Sequence, residues 1–151
     1  MHQHENLLTD EGAIQDLLRR TRRVAVLGMR PESHAAKPAH YVPAALLEMG
    51  LEVVPVPVAD REVTTMLGRV VYHSLVAVPG PIDIVDVFRR PEDLPAHLDD
   101  MLAAHPYAVW LQSGIRHDIV AEQLANAGIK VVQSRCLMVA YRNFLAAAGQ
   151  R

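Results

Sequence analysis

The feature that most constrains this chain is a repeated switch in hydrophobic period, from short β-rich runs that are almost wholly apolar to longer segments with apolar residues at helical spacing. An apolar run without polar alternation reads as a strand covered on both faces. Strands of that kind alternating with helices indicate βα units and a largely parallel sheet. The fold expected is therefore α/β: a Rossmann-like, doubly wound, mainly parallel sheet flanked by helices in a single domain.

The units can be followed along the chain. Ile14, Leu17, Leu18 and Thr21 share one helical face, with Thr9 or Asp10 as the cap, which predicts a covering helix before the first strand. Arg23-Val24-Ala25-Val26-Leu27-Gly28 reads as a buried strand ending on glycine, where the chain can turn tightly. Pro38 suits the first turn of a helix whose inner face is Val42, Ala45, Leu46 and Met49 and whose stop is Gly50; Pro43 bends this helix or shifts its start. Strand runs follow at Leu51–Val56 and Ile82–Phe88, with a short element at Val70–Tyr72 between them. Leu94, Leu98, Met101 and Leu102 define another helix. Tyr107–Gln112 and Ile129–Val132 are the last two strands, separated by a helix through Val120, Leu124 and Ala127 that stops at Gly128. Ser134 is expected to cap a final helix carrying Leu137, Tyr141, Phe144 and Leu145.

The 151 residues fit one domain, with residues 1–8 read as a flexible tail and 9–151 as the folded unit. No low-complexity block or linker of domain-separating length divides them. A formal charge of −2, from 15 Lys plus Arg against 17 Asp plus Glu, gives no global field for nucleic acid or an anionic membrane. No run approaches the roughly 18–20 apolar residues of a membrane span, and the polar start Met1–Asn6 does not resemble a secretory signal, so a cytoplasmic protein is expected. Cys136 is the single cysteine, which excludes an intrachain disulfide and fits a reducing compartment. His2 and His4 are read as part of a solvated tail or an added remnant rather than as a metal site.

In an open α/β sheet, ligands sit outside the carboxyl ends of the strands, where loops meet helix N-termini. Four segments are candidates. Gly28-Met29-Arg30, running on to Lys37-Pro38, offers close backbone approach and two cations for phosphates; it lacks both the G-x-G-x-x-G and the P-loop patterns, and an ordinary turn explains Gly28 equally well. Pro55-Val56-Pro57-Val58 could wall a flat ring or simply end a strand. Val87-Phe88-Arg89-Arg90 brings an aromatic and two guanidinium groups to a strand end, where they can fork onto phosphate oxygens or pair with Glu92 and Asp93. Leu111-Gln112-Ser113-Gly114-Ile115-Arg116-His117 combines an amide, a permissive glycine and a helix start, either to touch a ligand or to connect two elements. Trp110 reads as core; Cys136, at a helix start where the dipole can make a thiol reactive, reads as an inert buried cysteine.

No G-x-S-x-G elbow, HExxH pair or kinase signature is present, and Asp83 and Asp86, three apart on a strand, cannot act as a facing acid and base. The residues propose no catalyst.

Taken together, the strand-one Val-Leu-Gly turn, Lys37-Pro38, Pro55-Val56, Ile82–Arg90, Val109–Gly114 and Arg135-Cys136 resemble the small stand-alone CoA-binding proteins, over roughly residues 20–142. That family is similar to the N-terminal CoA-binding domain of the succinyl-CoA synthetase alpha subunit. The resemblance implies coenzyme A or an acyl-CoA as ligand, bound by a non-catalytic sensor, carrier or regulatory module; separately, a homodimer through an exposed helix or another protein is the expected partner. It implies that Gly28, Arg30 and Lys37 handle phosphates, that Pro55 and Val56 border the adenosine, and that Phe88, Arg89, Gln112 and Gly114 complete the cleft. The chain departs from the pattern at Pro57-Val58, where the family often has Asn-Pro, and at Ala39, where it has serine. An acyl-CoA-using enzyme subunit and an NAD-binding redox sensor are the alternatives; for the latter, Asp60 and Glu62 lie beyond the end of the second strand, where a ribose-binding acid is wanted earlier.

Overall fold

A computed structural model of the chain describes residues 3–149, so His2 and the side chain of His4 lie outside the described residues. In chain order the elements are α1 (Gln3–Asn6), α2 (Glu11–Arg20), β1 (Arg23–Leu27), α3 (Pro38–Glu48), β2 (Glu52–Val56), β3 (Thr65–Met66), β4 (Arg69–Val70), β5 (Ile84–Val87), α4 (Leu98–Ala104), β6 (Ala108–Leu111), α5 (Asp118–Asn126), β7 (Lys130–Val132) and α6 (Leu137–Gly149). Short 3-10 segments cover Glu32–His34 and Pro91–His97. The expected Rossmann-like α/β fold is present. Five strands form one parallel sheet in the order β2-β1-β5-β6-β7.

Strand alternation divides the core. Val24, Val26, Ile84 and Trp110 face α2, α3 and α6, while Ala25, Leu27, Val85, Val109 and Leu111 face α4, α5 and the segment before β5. Trp110 is fully buried, and its indole N–H donates to the Arg135 carbonyl at 2.8 Å, which satisfies its one polar atom. Asp10 caps α2 by accepting from the Ala13 N–H.

Several local expectations are corrected. The helix expected over Leu94–Leu102 begins as 3-10, because Pro95 cannot donate to an α-helical ladder; only Leu98–Ala104 is α-helical. The element near Val70 is half of a hairpin, β3–β4, whose turn places Leu67 and Gly68 at φ +52° and +71°. Among the described residues no helix crosses from β2 to β5. Leu75, Val78 and Ile82 cover that face instead, on an irregular segment. The Asp100 carboxylate accepts from Leu75 and Val76 N–H, and the Arg23 guanidinium donates to the Pro79 and Pro81 carbonyls. Ser134 does not cap α6. It sits at φ +53°, and its hydroxyl accepts from the Gly114 N–H. The first α6 amide, Leu137 N–H, goes to Gln112 Oε1 at 3.0 Å. Within the segment read as a tail, Leu7 bridges to Val131, and the Leu8 N–H donates to the Val131 carbonyl at 2.8 Å. No described helix is long and apolar enough to cross a membrane.

Pro43 lies inside α3, so the carbonyl of Ala39, four residues back, receives no helical hydrogen bond from position 43. That carbonyl accepts from the Arg30 N–H at 3.1 Å. The helix-breaking residue thereby ties the β1–α3 loop to the helix it precedes.

One polar group stands apart. Asp86 is fully buried on β5, between Val26 and Trp110, and neither carboxylate oxygen has a partner among the described residues. Burial pushes its carboxyl well above the usual carboxylate range. The folded chain therefore keeps a proton that the unfolded chain releases above about pH 4, and stability falls as pH rises from there toward the folded-state value. Asp86→Asn, which cannot ionise, is expected to gain stability relative to the parent as pH rises from 4 to 8 in guanidinium titrations. A difference independent of pH would contradict this reading of Asp86.

Candidate functional site

The chain leaves β1 toward β2 on one side and later returns to β5 on the other, so the loops that follow β1 and β5 diverge. A doubly wound sheet opens a crevice at such a point. Here the crevice is a cleft of about 640 Å³. Strand order arranges its walls. Val58 and Ala59 come from the β2 end; Gly28, Arg30, Lys37, Pro38, Ala39, Tyr41 and Val42 come from the β1 loop and α3. Phe88 to Pro91 follow β5 in the middle, and Gln112 to Ile115 follow β6 on the far side, with Cys136 beside them.

Of the residues singled out from sequence, Gly28, Arg30, Lys37, Pro38, Phe88, Arg89, Gln112 and Gly114 line this cleft together. Met29, Pro55, Val56 and Val87 do not. Met29 is fully buried and turned into the core with Val42 and Leu46. Pro55 and Val56 are paired with β1, and the chain runs on to Val58 before it reaches the cleft. Val87 points to the opposite face of the sheet, among Val85 and Leu111. Val58, the last residue of the Pro55–Val58 segment, does line the cleft, whereas Tyr41, Ala59 and Ala39 were missed as wall residues. The turn of α3 from Pro38 carried the signal for Ala39 and Tyr41, while nothing in the sequence pointed to Ala59.

Gly28 makes the crevice possible. Its φ is +87°, its N–H donates to the Val56 carbonyl, and a Cβ there would stand 2.4 Å from the Phe88 carbonyl oxygen and 3.1 Å from Arg89 Cδ. Only a residue without a side chain lets the ends of β1 and β5 come so close. Gly114, at φ +81°, needs its glycine for conformation alone, because the space around it is open.

The cations are held in place before any ligand arrives. Arg30 Nε donates to Asp60 Oδ2 at 2.8 Å, Nη2 lies 2.8 Å from His34 Nε2, and the Arg30 carbonyl lies 3.0 Å from His40 Nδ1. Arg89 Nε donates to His97 Nε2 at 3.2 Å, and Nη2 stands 3.5 Å from Asp93. Burial, and then the neighbouring Arg89 charge, lowers the His97 pKa and so favours the neutral ring that can accept this bond. Arg90 is exposed and pairs with Asp93 at 3.0 Å. Lys37 is exposed and makes no ion pair among the described residues, at the N-terminal end of α3 where the helix dipole also favours anions.

On the β6 side the wall is uncharged. Gln112 is 5% exposed and lines the cleft, and its Oε1 accepts from Leu137 N–H. His117, which precedes α5, spends Nδ1 on the Val120 N–H. Its N–H goes to Gln133, so the α5 start is capped from within. Among the described residues, no group of three or more His, Cys, Asp or Glu is placed to hold a metal ion. The arrangement suits a ligand with an anionic end near β1 and β5 and an uncharged end near β6.

Comparisons with known proteins agree in fold and family. The pattern of a family described as "CoA binding domain" matches residues 22–142. The uncharacterized protein YneT of Bacillus subtilis is 34% identical over 131 residues, covering 85% of this chain and 91% of that protein. The solved structure of cell-free ID.343 from Thermus thermophilus is 40% identical, with a TM-score of 0.82 over 90% of this chain and 99% of that one. A hypothetical protein from Pyrococcus horikoshii OT3 superposes with a TM-score of 0.80 at 26% identity, covering 91% of this chain and 93% of that one.

The two glycines give a direct contrast. Gly114→Ala is expected to lose about 1–2 kcal/mol, the backbone penalty alone. Gly28→Ala is expected to lose about 2–5 kcal/mol, because the methyl must also displace the Phe88 carbonyl. Denaturant titration of both variants checks this; equal losses would remove the close approach as the reason for Gly28.

Proposed function

This chain belongs to the CoA-binding domain family, and on that premise we propose that its cleft binds coenzyme A or an acyl-CoA non-catalytically, as a sensor, carrier or regulatory module. The observation that carries the reading is the order of the walls: Arg30 and Lys37 beside β1, Phe88 and Arg89 beside β5, and the uncharged Gln112–Ile115 turn beside β6, all on one cavity. Coenzyme A has the matching order of parts, a polyanionic nucleotide followed by a long uncharged arm with two amides and a terminal sulfur.

In this reading Arg30, Lys37 and Arg89 face the phosphates. Their partners Asp60, His34, His97 and Asp93 hold two of them in position at the cost of part of their charge. Gly28 brings backbone close to the ligand, and Val58 and Ala59 at the β2 end offer the apolar wall expected of the Pro55–Val58 segment. Gln112 Nε2 donates to an amide carbonyl of the arm. Asp60, the acidic residue nearest the end of β2, is committed to Arg30, which favours this ligand over one that needs a free acid on a ribose.

Calorimetry of ligand-free protein with CoA, NAD and ATP is the test. CoA is expected to bind, and Arg89→Ala is expected to weaken it on the order of tenfold at low ionic strength and by clearly less at high salt, since screening already reduces phosphate attraction. Binding of NAD or ATP without CoA would overturn the assignment, and an equal loss at both salts would remove Arg89 from the phosphates.

A further inference from the structure

Tyr41 lies in the cleft wall on α3 and is 43% exposed. It belongs to neither face of the core. Among the described residues the aromatic contacts are those of Tyr141 with Phe144 and of Tyr107 with Arg20 and Lys130, so no ring or cation covers it. Its N–H donates to the Lys37 carbonyl at 3.0 Å, and the spacing of four puts Lys37 and Tyr41 on one side of the helix start. Both line the cleft.

The position of this ring relative to Arg30 is fixed. Arg30 N–H donates to the Ala39 carbonyl at 3.1 Å, and the Arg30 carbonyl lies 3.0 Å from His40 Nδ1, so the turn that carries Tyr41 is bonded to the Arg30 backbone twice. On the β2 side, Val58 and Ala59 lead directly into Asp60, whose carboxylate accepts from Arg30 Nε at 2.8 Å. Tyr41 and the Val58-Ala59 segment are thus tied to the same arginine and border the same cleft. Ala39, Val42, Val58 and Ala59 complete this part of the wall without a polar side-chain atom. The ligand part that suits it is a flat, uncharged ring joined to an anion: the ring lies on Tyr41, and Arg30 and Lys37 take the anion. The edge of such a ring meets no polar side chain from these four residues.

We propose that Tyr41 is the shelf on which the adenine of CoA stacks, and that the cleft selects the base by its face rather than by its hydrogen-bonding edge. Stacking on an aromatic side chain tolerates changes of base, because every base has a π face. A CoA altered at the base edge is therefore accepted, and a ligand that lacks the base gains nothing from Tyr41.

The inference rests on the CoA reading, and three ligands separate the two. The full-length parent, Tyr41→Phe and Tyr41→Leu proteins are titrated by calorimetry with CoA, with etheno-CoA, whose extra ring blocks the edge of the adenine, and with phosphopantetheine, which has no base. Etheno-CoA is expected to bind the parent within about threefold of CoA, because the stacking face is kept. Tyr41→Leu is expected to weaken CoA and etheno-CoA on the order of tenfold, whereas Tyr41→Phe, which keeps the ring, holds them within about twofold. Phosphopantetheine is expected to bind all three proteins alike. If the parent binds CoA and Tyr41→Leu binds it equally well, or loses CoA and phosphopantetheine in the same proportion, Tyr41 is not the shelf and the CoA reading stands. A loss on the order of tenfold or more for etheno-CoA in the parent overturns selection by the face. If the parent binds neither CoA nor phosphopantetheine, both proposals fall.

Discussion

The close approach of β1 and β5 at Gly28 is the constraint on which the rest of the structure depends. A parallel sheet whose order reverses beside its first strand must open there, and how far it opens is set by what stands between the two strand ends. With a Cβ at position 28 the ends would be forced apart, since the methyl would meet the Phe88 carbonyl at 2.4 Å. Without one, the Gly28 N–H reaches Val56, the Phe88 N–H reaches Leu27, and three strand ends are locked in one row. The side chains that follow those ends, Arg30 and Arg89, are then delivered to the same cavity.

The loops beyond that row are held by polar groups that regular secondary structure leaves over. Pro43 takes no part in the α3 ladder as a donor, and the carbonyl it leaves receives Arg30. The first amide of α6 is taken by Gln112 from the end of β6, and Ser134 serves the Gly114 turn. Each is a donor or acceptor that would otherwise be unpaired near the sheet. The result is a cleft formed in advance of a ligand, with two arginines already oriented by carboxylate and imidazole partners. Preorganisation of this kind lowers the ordering cost of binding.

The fold was legible because apolar periodicity and helix punctuation agree along most of the chain: Val24–Leu27, Val53–Val56 and Val109–Leu111 are continuous apolar runs, and Gly50 and Gly128 stand where helices stop. The hairpin and the irregular crossover before β5 were not legible, because Leu75, Val78 and Ile82 have no regular spacing and are held by Asp100 and Arg23 from distant parts of the chain. At the site, the residues that turn out of strand ends, Gly28, Arg89 and Gln112, could be read from position alone. Met29 and Val87 could not, since a single step along the backbone moves a side chain from cleft to core. Ser134 was misread as a helix cap for a similar reason: its residue type suits a cap, but its left-handed backbone sends the hydroxyl to Gly114 instead. The buried acid at Asp86 was read only as one of two separated carboxylates, and burial, which no local pattern encodes, is what sets it apart.

If the three loops at the β1, β5 and β6 ends form one site for CoA, amide hydrogen exchange with and without CoA registers it. Slower exchange is expected at Arg30, Gly114 and Leu137, whose amides hold the cleft loops, and no change at Val71, Leu75 and Val76 in the hairpin exit and crossover, whose amides are bonded to Thr64 and Asp100. Protection confined to the crossover, with the cleft loops unchanged while CoA is bound, would contradict it.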